Sequence, residues 1–210
     1  MFLRIDPSAQ HYRNVYKLMV GTIVPRPIAF VSTKSPSGIL NLAPFSYFTA
    51  CSSKPPCILF SATGRTGGAK DTVANILATE QFVVNIVSEQ MASQMNATSA
   101  EFPPEVDEFD ISGLTPIDSE LILPPRVAES HVQMECRLVQ MVRVGEEVGG
   151  GMVVIGEVVL FHIDDRVLAD PERDPFTVEP SHLRAIGRMG GSTYIRTQDV
   201  FNMERPVYRK

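Results

Sequence analysis

Short apolar, β-branched runs separated by proline- and glycine-rich breaks dominate this chain. Pro27-Ile28-Ala29-Phe30-Val31-Ser32-Thr33 predicts a strand, and Ser35-Pro36-Ser37-Gly38 after it has the composition of a hairpin turn. The chain resumes at Ile39 and runs through Asn41–Phe48. Pro56–Ala62 predicts another short strand, and Gln81–Val87 a β-branched one. Two longer strands are predicted over Ser130–Val144 and Met152–Ile163, joined by a turn at Gly149-Gly150-Gly151. Helical periodicity is confined to short stretches. Asp71–Thr79 places Val73, Ile76 and Leu77 on one face, with Asp71 or Thr72 as the cap, and Ser88–Asn96 predicts a second short helix. Strands and helices do not alternate as in a doubly wound sheet, so a closed or partly closed antiparallel barrel is expected.

Residues 97–120 break this rhythm with Phe102-Pro103-Pro104, an acidic run and Gly113-Leu114-Thr115-Pro116. They read as an insertion over the surface, of the kind that shapes a binding site. At 210 residues the chain is expected to form one domain, 1–210, with 97–120 as its excursion.

Composition narrows the chemistry. Hydrophobic residues are 44% and charged residues 20%, enough for a real core, and the net charge of −5 argues against non-specific nucleic-acid binding. No basic segment followed by an apolar run opens the chain, and the apolar stretch 152–163 is broken by Gly156, Glu157 and His162. The expectation is a soluble, cytoplasmic protein without a membrane span. Cys51, Cys57 and Cys136 are an odd number with no CxxC spacing, and the four histidines are scattered, so neither a disulfide framework nor a metal site is expected. Alternation puts Cys136 with Val132, Met134 and Leu138 on a core face.

Two segments carry candidate chemistry. Asn41-Leu42-Ala43-Pro44-Phe45-Ser46-Tyr47-Phe48 combines aromatics, a proline and small polar groups, which suits the edge of a flat heterocycle; it also fits an aromatic strand packed in a core. Residues 64–72 are glycine-rich, carry Arg65, Lys70 and two hydroxyls, and run into a helix. Backbone N–H groups at a helix start, backed by cations, make an anion site, although Gly67-Gly68 also fits a simple loop before a helix. The spacing is neither a Walker A nor a dinucleotide fingerprint. No GxSxG elbow is present, and Asp107-Glu108 and Asp164-Asp165 read as solvated loops, so a cofactor rather than a side chain is expected to carry the reaction. A hydrolase built on Cys51 or Ser46 would act without a cofactor and be lost on alkylation.

Taken in order, Pro25-Arg26-Pro27-Ile28-Ala29, Asn41–Phe48, Lys70–Asn75, Phe82-Val83-Val84-Asn85, Glu108-Phe109, Gly113–Pro116, Glu135-Cys136 and Arg188–Tyr194 resemble the flavin reductase-like family with the FMN-binding split-barrel fold. The resemblance spans about residue 20 to residue 205. It implies a mainly β, Greek-key antiparallel split barrel, a homodimer, and one FMN per subunit near the interface. It also implies an oxidoreductase that takes hydride from NADH or NADPH and passes electrons to flavin or another acceptor, with a partner monooxygenase as one option. The alternative is a non-enzymatic flavoprotein electron carrier reduced by a partner. Carried over by residue, Asn41, Leu42, Ala43, Pro44, Phe45, Ser46 and Tyr47 would line the isoalloxazine. Ser61, Arg65, Lys70 and Thr72 would contact the ribityl phosphate, and Asp71 would belong to the same cofactor-binding segment. Arg188 and Tyr194 would approach the flavin, from the same subunit or the other.

Overall fold

The computed structural model describes residues 1–63 and 70–208. Its strands are β1 (Ala29–Lys34), β2 (Leu40–Phe45), β3 (Phe48–Ser53), β4 (Pro56–Thr63), β5 (Gln81–Ile86), β6 (Pro116–Ile117), β7 (Arg126–Val127), β8 (Val132–Val144), β9 (Gly151–Ile163), β10 (Ile186–Arg188) and β11 (Tyr194–Arg196). The α-helices are α1 (Tyr12–Thr22), α2 (Asp71–Thr79), α3 (Ala92–Ala97), α4 (Glu108–Ser112) and α5 (Pro180–Leu183).

Seven strands form one antiparallel sheet in the order β2-β1-β5-β8-β9-β4-β3. The two end strands, β2 and β3, are joined directly through Ser46 and Tyr47. A flat sheet would hold those ends far apart, so the sheet must curl until its edges meet at that corner. The backbone N–H of Ser61 on β4 donates to the Tyr47 carbonyl there, at 2.8 Å. Pro44, which has no N–H to give a ladder, sits on the edge strand β2 beside this seam. The segment expected as one run, Asn41–Phe48, is therefore two strands with a corner between them.

The strand periodicity of two sorts the core into two compartments. Ala29 and Val31 of β1 point into the barrel with Phe45, Phe60, Phe82 and Cys136; Phe30 points outward to a second cluster with Leu42, Met95, Phe109 and Ile186. Phe60 packs against Phe45 with ring centroids 4.9 Å apart and meets Phe82 edge-on at 5.7 Å. Val73 and Ile76 of α2 close the barrel from one end. Leu77, expected on that face, is instead exposed, because the plug uses only the narrow stripe of α2 that meets the barrel. Nor do Asp71 or Thr72 cap the helix. Lys70 is the N-cap residue and makes no side-chain cap bond, while Thr72 is turned to a buried partner.

Residues 97–120 are more than a cover. Thr98, Glu108, Phe109 and Leu114 are buried, with Phe109 and Leu114 in the second cluster. The reading of Asp107-Glu108 as a solvated pair is thereby corrected for Glu108. Its helix α4 needs Phe109 in the core, and that packing carries the neighbouring carboxylate inside with it. Among the described residues no helix is long and apolar enough to cross a membrane.

Candidate functional site

Two small cavities adjoin beside the barrel seam, sharing Pro44 and Ser99 in their walls. The first, about 150 Å³, is bounded by Ile28, Pro44, Ser46, Met95, Arg188 and Tyr194. The second, about 120 Å³, has Ala43, Pro44, Lys70, Thr72, Phe102 and Glu108 around it. Strand β2, the start of α2, the end of α3, the segment after it and the β10–β11 hairpin thus meet at Pro44.

Each expected residue has a definite place. Ala43 and Pro44 present a small, donor-poor wall to the second cavity, and Ser46 faces the first. Leu42 and Phe45 lie in the two cores, so they act from behind that wall. Asn41 is buried and its amide is fully engaged. Its Oδ1 accepts from Thr72 Oγ1 at 2.6 Å and Thr33 Oγ1 at 3.3 Å, while its Nδ2 donates to both Glu108 carboxylate oxygens at 3.0 and 3.1 Å. Asn41 therefore fixes β2 against α2 and α4. Tyr47 is half-buried at the seam; burial raises its phenol pKa, Tyr16 adds to that, and the Arg26 cation opposes it. Ser61 lies on β4, its backbone bonded to Tyr47.

Lys70 and Asp71 border the second cavity at the start of α2, and the Lys70 Nζ lies 5.3 Å from the centre of the Phe45 ring. Arg65 lies outside the described residues, as does the rest of the glycine-rich segment 64–69. Arg188 and Tyr194 are opposite each other on the β10–β11 ladder, with the guanidinium 4.3 Å from the ring centre. They border the first cavity together with Pro44 and Ser46 of the same chain. Tyr194 is held by a hydroxyl bond to Asn96 Oδ1 at 3.2 Å, and Arg188 Nη2 donates to the Gly191 carbonyl at 2.6 Å.

Several wall residues carried no signal in the sequence. Asn96 and Ser99 sit in an ordinary-looking helix end, and only the packing of α3 brings them to Pro44. Glu108 is 6% exposed and accepts from the Leu42 backbone N–H at 3.0 Å as well as from Asn41. Burial raises its pKa above the ordinary carboxylate value, and those donors pull the other way. The motif Glu108-Phe109 was the available clue, but nothing in the sequence alone said which partners it meets.

Among the described residues no three or more His, Cys, Asp or Glu side chains gather as a metal site. Cys57 and Cys136 are buried and Cys51 is exposed. Burial pushes the Cys136 thiol far above its usual pKa, which leaves it an inert core group.

Comparison with known proteins agrees with this architecture. Residues 20–185 match the family described as Flavin reductase like domain. An uncharacterized protein of Aquifex aeolicus is 43% identical over 184 residues, covering 87% of this chain and 90% of its own. The crystal structure of nitrilotriacetate monooxygenase component B from Bacillus cereus is 34% identical, with a TM-score of 0.90 over 97% of this chain and 99% of that one. The 2-nitrobenzoate 2-nitroreductase NbaA of Pseudomonas fluorescens is 28% identical, with a TM-score of 0.86 over 99% and 98%. With a curled antiparallel sheet closed at Ser46-Tyr47 and a family match across most of its length, this chain is a split-barrel protein that belongs to the flavin reductase-like family.

Proposed function

We propose that the cleft around Pro44 holds FMN, and that the protein is an oxidoreductase in which hydride passes from NADH or NADPH to that flavin. The observation that carries this reading is the character of the two adjoining cavities. One offers hydroxyl, amide and guanidinium groups around a proline wall; the other offers Lys70 and the start of α2, with Asp71, Glu101 and Glu108 also in its wall. A planar heterocycle with a polar edge matches the first donor set, and a phosphate matches a lysine at a helix N-terminus. The residues present therefore fit the cofactor. When bound, FMN supplies the capacity to accept hydride.

The chain's own part is to bind and orient. Ala43, Pro44 and Ser46 form the wall for the ring, Lys70 pairs with the phosphate, and the Arg188–Tyr194 pair flanks the face to which a nicotinamide would come. Two solved relatives have redox names, a monooxygenase component and a nitroreductase, which supports a redox role and makes a partner monooxygenase one candidate acceptor.

The test is to add FMN, desalt, record the visible spectrum, and then follow oxidation of NADH and NADPH. Retained flavin bands, bleached by one of the nucleotides, are expected. Protein with FMN in excess that oxidises neither nucleotide would overturn the proposal. Lys70→Ala should weaken FMN by about 1.5–3 kcal/mol, the worth of a charge-assisted bond, and barely touch riboflavin. Equal weakening of both ligands would remove the phosphate assignment.

A further inference from the structure

Arg26 is 5% exposed, yet among the described residues it faces no carboxylate. Its Nη1 donates to the carbonyls of Val20 at 2.7 Å and Ile23 at 2.8 Å, its Nη2 to the Met189 carbonyl at 2.9 Å, and its Nε lies 3.4 Å from Ser46 Oγ. Its backbone exchanges two hydrogen bonds with Arg188. Every polar contact is thus satisfied by a neutral group. Buried charges are ordinarily paired, because hydrogen bonds to carbonyls do not cancel the cost of taking an ion out of water.

The carbonyl end of α1 offsets part of that charge, since a helix C-terminus carries about half a negative charge. Of the four groups that the Arg26 side chain contacts, only Ser46 lies in the wall of the first cavity. Ser46 accepts from Arg26 and lines the first cavity, and no other bond of that hydroxyl is found among the described residues, so its proton is free to be donated to a group in the cavity. The cavity has one guanidinium, Arg188, in its wall and no carboxylate among its lining residues. In the adjoining cavity, by contrast, the carboxylates Glu108, Asp71 and Glu101 stand with Lys70.

We propose that Arg26 is a positioning residue that acts through Ser46 to bind the reduced, more negative state of the ring in the first cavity more tightly than the oxidised state. This rests on the flavin reading above. Hydride brings two electrons and one proton, so the ring gains one negative charge while the nicotinamide leaves oxidised and one charge more positive. A fixed cation favours that charge without having to reorganise.

The experiment measures the midpoint potential of bound FMN and the dissociation constant of oxidised FMN in the holoprotein, in Arg26→Gln, Arg26→Lys and Ser46→Ala, alongside their melting temperatures. Arg26→Gln is expected to reduce the preference for the reduced ring by about tenfold, a fall of about 30 mV for a two-electron couple. Arg26→Lys should stay close to wild type. Ser46→Ala should shift the potential the same way by a smaller amount without lowering the melting temperature. If Arg26→Gln and Ser46→Ala weaken oxidised and reduced FMN equally, so that the potential stays put, Arg26 only ties α1 to the β10–β11 turn and the proposal fails. Should Arg26→Gln not fold, Ser46→Ala decides alone, and an unmoved potential overturns the idea. Wild-type protein that binds no FMN even at saturating concentration, and oxidises neither nucleotide in its presence, would end the flavin reading itself, which is a different result from a loaded protein whose potential does not respond.

Discussion

Glu108 shows how one side chain can set a site without facing it. Its carboxylate accepts three donor contacts, two from the Asn41 amide and one from the Leu42 N–H, and Asn41 in turn receives Thr72 from α2. Strand β2 is thereby pinned between two helices at the point where its next residues, Ala43 and Pro44, make the cavity wall. Burial disfavours the ion, but an acceptor-only group is what three donors require. Glu108→Gln keeps the shape and puts an amide N–H against one of those donors. The expected cost is about 1–3 kcal/mol, read as a lower urea midpoint. A midpoint equal to wild type would mean that the three donors re-pair elsewhere. In the sequence this residue stood in an acidic, proline-rich run that reads as solvent-facing; the partners that draw it inside lie far away in the chain.

Strand β9 carries a comparable constraint at the level of an element. A Cβ at Gly156 would stand 2.3 Å from Cζ and 2.8 Å from Cε1 of Phe82, a ring locked in the barrel core against Phe60. Phe82 belongs to β5, two strands away across β8, so the glycine is what lets a large ring cross the barrel interior. Gly156→Ala should therefore destabilise by about 1–3 kcal/mol through overpacking. Thermal melting of Gly156→Ala, Phe82→Leu and the double variant checks this: the double variant should be more stable than the sum of the single losses predicts. Simple additivity would show that the clash is relieved by backbone movement. From the sequence, Gly156 was visible only as an interruption of an apolar run. The strands themselves were legible, because β1, β4, β5, β8 and β9 all coincide with apolar, β-branched runs; their neighbours in the sheet were not.

For the whole molecule, acid stability depends on carboxylates buried or tethered on the long β8–β9 pair and its ends. Glu135 on β8 is fully buried. Burial alone would raise its pKa, but the backbone N–H groups of Glu120 and Leu121 and the ring of His162 outweigh that and lower it. Asp164, just beyond β9, is held far below the usual carboxylate range first by Arg166, then by His131. Groups with depressed folded pKa values contribute stability that is present above their unfolded values and disappears as pH falls through the folded ones. The expectation is a loss of stability setting in below about pH 4, the ordinary carboxylate region. Glu108, with its raised pKa, works in the opposite sense, so the slope is the balance of the two. Urea midpoints across pH 6 to about pH 2 check it: Glu135→Gln should be less stable near neutrality and flatter toward acid. An equally steep acid loss in that variant would take Glu135 out of the account.

By itself, the sequence determined the strands β1, β4, β5, β8 and β9 and the short helix α2, because apolar periodicity of two or of about 3.6 is a local property that burial later rewards. It also determined the family, through an ordered set of short motifs, and marked Pro44, Ser46, Lys70, Arg188 and Tyr194, residues that the fold gathers around two adjoining cavities. Only the tertiary structure decided that β2 and β3 meet as the two edges of one curled sheet, that Glu108 faces inward, that Asn96 and Ser99 join the wall, and that Arg26 lies buried behind Ser46 without a carboxylate. Those outcomes depend on contacts between residues tens to more than a hundred positions apart. Which polar group is buried, and against what, is set by the competition of desolvation with available donors in the closed barrel.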